Sequence, residues 1–392
     1  MDNIFDSKQP IKPAFEENNN LIVLASDNNY APYLGVCIES IAENSLNTLN
    51  YDIVVLETNI HTYYKNKMIN MLKARKNISL RFYNLGIFGD YFELLNSKTT
   101  AYFTAATYYR MYAPEIFINY DRMFYLDCDL VVVGDFSELL KAEFGKSLLI
   151  AVPDVTVQGV AYSPLNKVIW RCDDYLRDVL KIKDYKKYFQ AGVMVFDLKN
   201  LRKFNFTEKC LDKLKTIDRP RWVDQDILNS ILYGHVKYAK LKYNYTYHLQ
   251  FSENNYQIET IKKVDPDLYE QIKNINEMKP HIIHYTSSKK PWLFPYLKYA
   301  DLWWYYASFT PFYNELMKKM ILYFAPDMGL RTKNENNTVV KDCLMCKKLQ
   351  LKYIKYKLLT RLSWGKKHNH WKQKRNELKT RIKQARNFLR EK

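Results

Sequence analysis

Apolar residues in this chain come in short runs separated by stretches of helical spacing. Leu21-Ile22-Val23-Leu24-Ala25 is one such run, closed by the polar Ser26-Asp27-Asn28-Asn29, and it predicts a strand leading into a loop. Residues 33–46 then place Leu34, Cys37, Ile38 and Ile41 at helical spacing, and Ile53-Val54-Val55-Leu56 is the next strand. A β-α-β opening results. The alternation continues with a helix near 62–75, a strand at Ile78 to Tyr83, a helix near 105–113, and strands at Phe124 to Leu126 and Val131 to Val133. Runs at Leu148 to Val152, Val193 to Phe196 and Ile282 to Tyr285 complete one mixed, mainly parallel sheet with helices on both faces. The fold class is α/β. Residues 1–20 read as a flexible leader, 21–300 as the α/β domain, 301–330 as an aromatic-rich helical closing segment and 331–392 as a tail.

Charge changes this picture only at the tail. Residues 331–392 hold 20 Lys and Arg against 4 Asp and Glu, whereas residues 1–330 hold 40 against 38. In the tail, Leu344, Leu351, Ile354, Leu358 and Leu362, then Trp371, Leu378, Ile382 and Leu389, recur at helical spacing among basic residues. A basic amphipathic segment of this kind seeks a polyanion, either nucleic acid or an anionic membrane face. The 33 tyrosines are scattered through the body and no nucleic-acid recognition motif occurs, so an anionic membrane is the expected partner and nucleic acid is not. There is no run of 18 apolar residues, and Met1 to Asn20 is polar, so neither a membrane span nor a signal peptide is indicated. The expected location is the cytoplasm, with peripheral attachment to the inner face of the plasma membrane. Six cysteines in so long a chain read as reduced thiols, and Cys343 and Cys346 with His368 and His370 fit no common zinc module.

Candidate chemistry concentrates at Met123 to Asp135, MFYLDCDLVVVGD. Asp127 and Asp129 interrupt an apolar strand where the pleat would put both side chains on one face. Two acids so placed repel unless something positive bridges them, and a hard divalent cation with oxygen ligands is the obvious bridge. No G-x-G-x-x-G, G-x-x-x-x-G-K-[ST] or G-x-S-x-G occurs, so a dinucleotide fold, a P-loop and the commonest hydrolase signature are unsupported. If the chain handles phosphate, it does so with a metal.

Five motifs in order give the chain a resemblance to glycosyltransferase family 8 over roughly residues 20–295. They are Ala25-Ser26-Asp27-Asn28-Asn29-Tyr30; Thr107-Tyr108-Tyr109-Arg110; Asp127-Cys128-Asp129; Asp154 with Phe189-Gln190-Ala191-Gly192-Val193 and Trp222-Val223-Asp224-Gln225-Asp226; and His284-Tyr285-Thr286-Ser287-Ser288-Lys289-Lys290-Pro291-Trp292. The resemblance implies a GT-A type nucleotide-binding domain. It places Ala25, Asp27, Asn29, Tyr30, Cys128, Ser287 and Lys290 on the nucleotide, with Asp127, Asp129 and His284 on the metal. Asp154, Gln190, Ala191, Gly192, Asp224 and Gln225 then fall on the donor sugar, and Arg110, Asp224 and Gln225 at the catalytic centre. Chemically, Asp27 can accept the uracil imide N–H and Tyr30 can stack, although an Asx-type turn accounts for Asp27 and Asn29 as well. A surface ion pair is the plain alternative for Arg110, and a core or capping role for His284. Two departures stand out: Gln190 occupies the family's usual Asn, and Ser287 replaces the glycine of H-x-x-G-x-x-K-P-W.

The implied activity is transfer of a hexose, galactose or glucose, from a UDP-sugar to a hydroxyl of a bacterial surface glycan such as lipooligosaccharide, capsule or an adhesin glycan. The implied cofactor is a divalent metal, manganese first and magnesium second. Retention of configuration follows either a front-face route, which is favoured, or a double displacement with Gln225 or Asp224 as nucleophile. The competing function classes are a basic-tailed nucleic-acid binder and an inactive carbohydrate-binding relative.

Overall fold

The alternation within Leu21 to Leu24 has its physical cause in a sheet buried on both faces. Ile22 and Leu24 enter the core on one side and Leu21 and Val23 the core on the other, all at most 3% exposed. The computed structural model of the chain describes residues 10–17, 19–85, 105–163, 171–217, 219–246 and 256–324, with positions 372–374 and 376 beyond them. Its elements open with β1 (Asn19–Ala25), α1 (Ala31–Glu43), β2 (Asn50–Glu57), α2 (Thr62–Leu72) and β3 (Ile78–Asn84). A 3-10 helix, Ala105–Tyr112, precedes β4 (Arg122–Leu126) and β5 (Leu130–Val132). Then come β6 (Leu149–Pro153), α3 (Val155–Tyr162), β7 (Phe189–Asp197), α4 (Val223–Ile231), β8 (Val236–Tyr238), β9 (Tyr245–Thr246) and β10 (Ile282–His284). Two helices, α5 (Ala300–Ser308) and α6 (Tyr313–Phe324), follow.

The main sheet has seven strands in the order β3-β2-β1-β4-β7-β6-β8, and only β7 runs against the rest. This is the expected mixed, mainly parallel α/β architecture. Two expectations change. The runs at Val131 to Val133 and Ile282 to Tyr285 do not complete that sheet; they supply β5 and β10 of a second sheet ordered β5-β10-β9. The cause is the break at Asp127 to Asp129. Asp127 N–H still donates to Gly192 O at 2.9 Å, as the last rung beside β7, after which the chain bends and leaves the ladder. Short β8 and β9 offer too few residues to stand out as apolar runs. Of the expected leader the described residues begin at 10, and there Ala14 N–H donates to Asp52, Arg81 to the Lys12 carbonyl, and Asn119 to the Ile11 carbonyl. The helix expected near 105–113 is present as the 3-10 turn followed by a single α turn, Ala113–Ile116, with Pro114 at its start.

Asp27 shapes the first helix by accepting from the Asn29 and Tyr30 N–H groups at 2.9 and 3.0 Å, and Pro32 follows in the first turn, where no N–H is needed. Within the aromatic-rich closing segment α5 and α6 run to Phe324, and Trp303 is fully buried with α1 in the same core cluster. The chain divides into two compact units, 1–323 and 324–392. The basic helical patterns expected over 331–392, and the Cys343, Cys346, His368 and His370 set, lie outside the described residues. Among the described residues no helix is long and apolar enough to cross a membrane.

Phe312 sets how closely the closing segment approaches α1. A Cβ on Gly35 would lie 2.4 and 2.6 Å from two Phe312 ring atoms. Gly35→Ala is therefore expected to destabilise the protein by about 1 to 3 kcal/mol in urea unfolding, as overpacking does. A Phe312→Leu background should shrink that loss.

Candidate active site

A cavity of about 420 Å³ opens at the carboxyl ends of β1, β4 and β6, where Ala25, Asp127 and Asp154 emerge. This is the crevice in which open α/β sheets take ligands. Asp127 and Asp129 occupy one end of it. Arg110 Nη2 donates to Asp127 Oδ1 at 2.8 Å, and Lys290 Nζ donates to Asp129 Oδ2 at 2.5 Å. His284 Nε2 lies 2.9 Å from Asp129 Oδ1 and 3.7 Å from Asp127 Oδ2. Burial pushes the Asp129 carboxyl up, but Lys290 and then His284 more than reverse it, holding it well below the usual carboxylate range. Arg110 is 2% exposed, which excludes the surface ion pair. Its guanidinium also donates to the Thr107 and Ala191 carbonyls and lies 4.0 Å from the Tyr125 ring centroid.

Toward the other end, Asp154 caps α3 through Val157 N–H at 2.8 Å and accepts from Gln225 Nε2 at 3.0 Å. Gln225 Oε1 accepts from Ala191 N–H at 2.9 Å. Asp224 Oδ1 accepts from Thr107 at 3.0 Å, and its Oδ2 lies 3.1 Å from Arg110 Nε without hydrogen-bond alignment. Burial raises the Asp224 carboxyl to about 6, Arg110 offsetting part of the rise and Asp127 adding to it. Val223, just before this pair, has φ +41°, a left-handed conformation that a β-branched residue rarely adopts. Strain of this kind, of order 1 to 3 kcal/mol, persists where the surroundings over-determine the backbone. Here Asp226 pins the turn by accepting from Tyr175, Tyr188 and Trp222 N–H at 2.7, 2.7 and 2.9 Å.

One oxygen from each of Asp127 and Asp129 and one nitrogen of His284 all lie within 4.8 Å of one another. Two carboxylates and an imidazole suit a divalent cation that accepts mixed oxygen and nitrogen ligands. Gly192 makes room for this trio. A Cβ there would lie 2.1 Å from His284 Cε1 and 2.8 Å from Asp127 Oδ2. The residues present therefore fit such an ion.

Residues 21–295 match the sequence model of Glycosyl transferase family 8. The chain belongs to this family. The Lipopolysaccharide 1,2-glucosyltransferase of Escherichia coli strain K12 is 28% identical over 284 residues, which is 70% of this chain and 75% of that protein. Among solved structures, the bifunctional glycosyltransferase WbbM superposes with a TM-score of 0.68 and 29% identity, covering 80% of this chain and 53% of its own. The chain thus spans about half of that protein's length. The galactosyltransferase LgtC, in complex with donor and acceptor sugar analogs, superposes with a TM-score of 0.58 at 24% identity over 74% of this chain and 96% of its own, a likeness of fold.

As a family 8 glycosyltransferase domain, the chain brings most of its expected site residues to one cavity. Ala25, Asp27, Tyr30, Arg110, Asp127, Cys128, Asp129, Asp154, Gln190, Ala191, Asp224, Gln225, His284, Ser287 and Lys290 all line it. Asn29 and Gly192 do not: Asn29 is exposed beyond the Asp27 turn, and Gly192 lies behind Asp127 and His284. The Asx-type turn is formed, with Asp27 Oδ1 taken by the backbone. Burial, reinforced by Asp127 and Asp129, pushes the Cys128 thiol up, and it donates to the Ala25 carbonyl at 2.9 Å, so it packs rather than attacks. Thr156, Asn244 and Thr246 went unread in the sequence because none stands in a recognised motif. Thr156 and Thr246 line the cavity, and the Thr246 hydroxyl is buried with no hydrogen-bond partner among the described residues.

The raised Asp224 carboxyl carries a sign for stability. Its folded value of about 6 exceeds the ordinary 3.8, so the fold holds this proton more tightly than the unfolded chain, and stability falls as pH rises from about 4 to about 6. Asp224→Asn removes that dependence. The stability difference between variant and wild type should move in the variant's favour by on the order of 2 to 3 kcal/mol between pH 4 and pH 7, read by urea unfolding. A difference that stays flat across that range would show Asp224 to be an ordinary acid.

Proposed function

We propose that this chain transfers a hexose, galactose or glucose, from a UDP-sugar to a hydroxyl of a bacterial surface glycan with retention of anomeric configuration, assisted by manganese or magnesium. The observation that carries this reading is the two-ended cavity. Acids and cations suited to a metal diphosphate gather at Asp127, Asp129, His284 and Lys290, and polar groups suited to sugar hydroxyls gather at Asp154, Gln190, Asp224 and Gln225. The similarity to a Lipopolysaccharide 1,2-glucosyltransferase supports an envelope glycan as acceptor.

Asp27 Oδ1 is engaged by two backbone N–H groups, so the uracil imide N–H falls to Oδ2, with the Tyr30 ring beside it in the cavity wall. Asp127, Asp129 and His284 would hold a divalent cation, which would supply positive charge against the diphosphate leaving group. Lys290 adds a positive charge at the same end. UDP is a good leaving group and needs no acid. Both residues considered as nucleophiles are already engaged: Gln225 spans the Ala191 N–H and Asp154, and Asp224 is held by Thr107 and Arg110. That supports the front-face route, in which a phosphate oxygen of the departing UDP helps to deprotonate the acceptor while Gln225 and Asp224 orient the sugar. The charge of residues 331–392 supports attachment of the protein to an anionic membrane at its cytoplasmic face.

Incubation with each UDP-sugar and measurement of released UDP tests the core of this reading. UDP-galactose or UDP-glucose should be turned over only with added manganese or magnesium, EDTA should stop turnover, and Asp129→Asn should lower it by at least 10²-fold. Undiminished turnover in either case, or a clear preference for UDP-N-acetylglucosamine, would overturn the corresponding assignment. Deleting residues 331–392 should release the protein from anionic liposomes while UDP-sugar hydrolysis persists.

A further inference from the structure

Behind His284 runs a chain of hydrogen bonds whose polarity can be deduced link by link. The Gly192 backbone N–H can only donate, and it meets the Gln190 side-chain oxygen at 2.6 Å. Asn244 approaches the same oxygen at 2.5 Å, so the atom it presents must be the amide nitrogen Nδ2. Its Oδ1 therefore points the other way, 3.0 Å from His284 Nδ1. An amide oxygen only accepts, so Nδ1 carries the hydrogen. Nε2 is left directed at Asp129 and Asp127. Asn244 and His284 are each 1% exposed, so water does not compete for these contacts.

From this we infer that Asn244 is a positioning residue that holds His284 in the cation-binding tautomer, and that Gln190 extends the hold into the sugar end of the cavity. The inference rests on the reading of Asp127, Asp129 and His284 as cation ligands. Partners that fix the far nitrogen of a metal-binding imidazole typically change metal affinity by 10- to 100-fold when lost. The length of Gln190 matters here. Its oxygen turns back to the N–H two residues on and still meets Asn244, a reach that one methylene less would shorten. A residue expected only to grip sugar thus also orients the metal ligand, and a donor hydroxyl that draws on the Gln190 amide would act on the same chain.

The test uses the full chain with manganese as the probe. Free manganese, followed by electron paramagnetic resonance, should show Asn244→Ala binding the ion 10- to 100-fold more weakly than wild type. Asn244→Asp, which keeps an acceptor for Nδ1–H, should recover at least tenfold of that loss. In the metal-free wild type, nitrogen-15 histidine NMR, with the His284 signals assigned through His284→Gln, should show Nδ1 protonated. Manganese affinity in Asn244→Ala within twofold of wild type, or a wild-type His284 with a bare Nδ1, would overturn the relay alone. Wild-type protein that takes up no manganese would instead overturn the cation reading and the relay with it. Should Asn244→Ala fail to fold, a protonated Nδ1 in wild type together with an Asn244→Asp affinity within tenfold of wild type supports the relay, and a bare Nδ1 or a drop of tenfold or more in Asn244→Asp overturns it.

Discussion

The structure depends on how four carboxylates, those of Asp127, Asp129, Asp154 and Asp224, are kept in one largely buried cavity. An unpaired buried carboxylate costs several kcal/mol, so each must have a partner before any ligand arrives. Arg110 serves Asp127 and Asp224 together, Lys290 and His284 serve Asp129, and Asp154 is spent on a helix cap and an amide. The two cations differ in kind. Arg110 is locked by two carbonyls and an aromatic ring and behaves as part of the wall, whereas Lys290 is a point charge on a flexible stem, held by Asp129 and the Tyr285 carbonyl. Lys290 is the one suited to exchanging a carboxylate for a phosphate.

That balance is possible because backbone, not side-chain reach, sets the spacing. Asp127 emerges at the end of β4, beside β7, and Asp129 just before β5, where Tyr285 N–H donates to its carbonyl and draws the end of β10 alongside. Two sheets therefore meet at the D-C-D break. His284 comes from the second sheet and Asp127 from the end of the first, and the absence of a side chain at Gly192 lets them approach. The strained turn at Val223 plays a similar part for Asp224 and Gln225, with its cost met by the three hydrogen bonds to Asp226.

Gln190 illustrates how one residue can serve two purposes. Read as an amide for the donor sugar, it is also the point from which the polarity of the hydrogen-bond chain to His284 is set. The end proposed for the sugar and the end proposed for the cation are for this reason not independent. Electrostatics ties them through Arg110, between Asp127 and Asp224, and hydrogen bonding ties them through Asn244.

The family resemblance implied Arg110, Asp154, Asp224, His284 and Lys290; what the amino-acid sequence determined by itself was the class of fold, the order of most strands and the paired acids Asp127 and Asp129. Those features are local: a buried strand declares itself by a run such as Leu21 to Ala25, and a site at strand ends declares itself by polar residues that follow such runs, as at Asp127 and Asp154. Tertiary structure decided the rest. Nothing in a run of three apolar residues says which sheet it joins, and only the strand pairing puts β5 and β10 in the second sheet. Asn244 and Thr246 carry no motif, and their roles arise only because β9 is drawn beside β10 from far along the chain. The left-handed Val223 and the close approach at Gly192 are likewise products of packing, since neither a dihedral angle nor an interatomic gap has a local sequence signature when the forces that impose it come from residues distant in the chain.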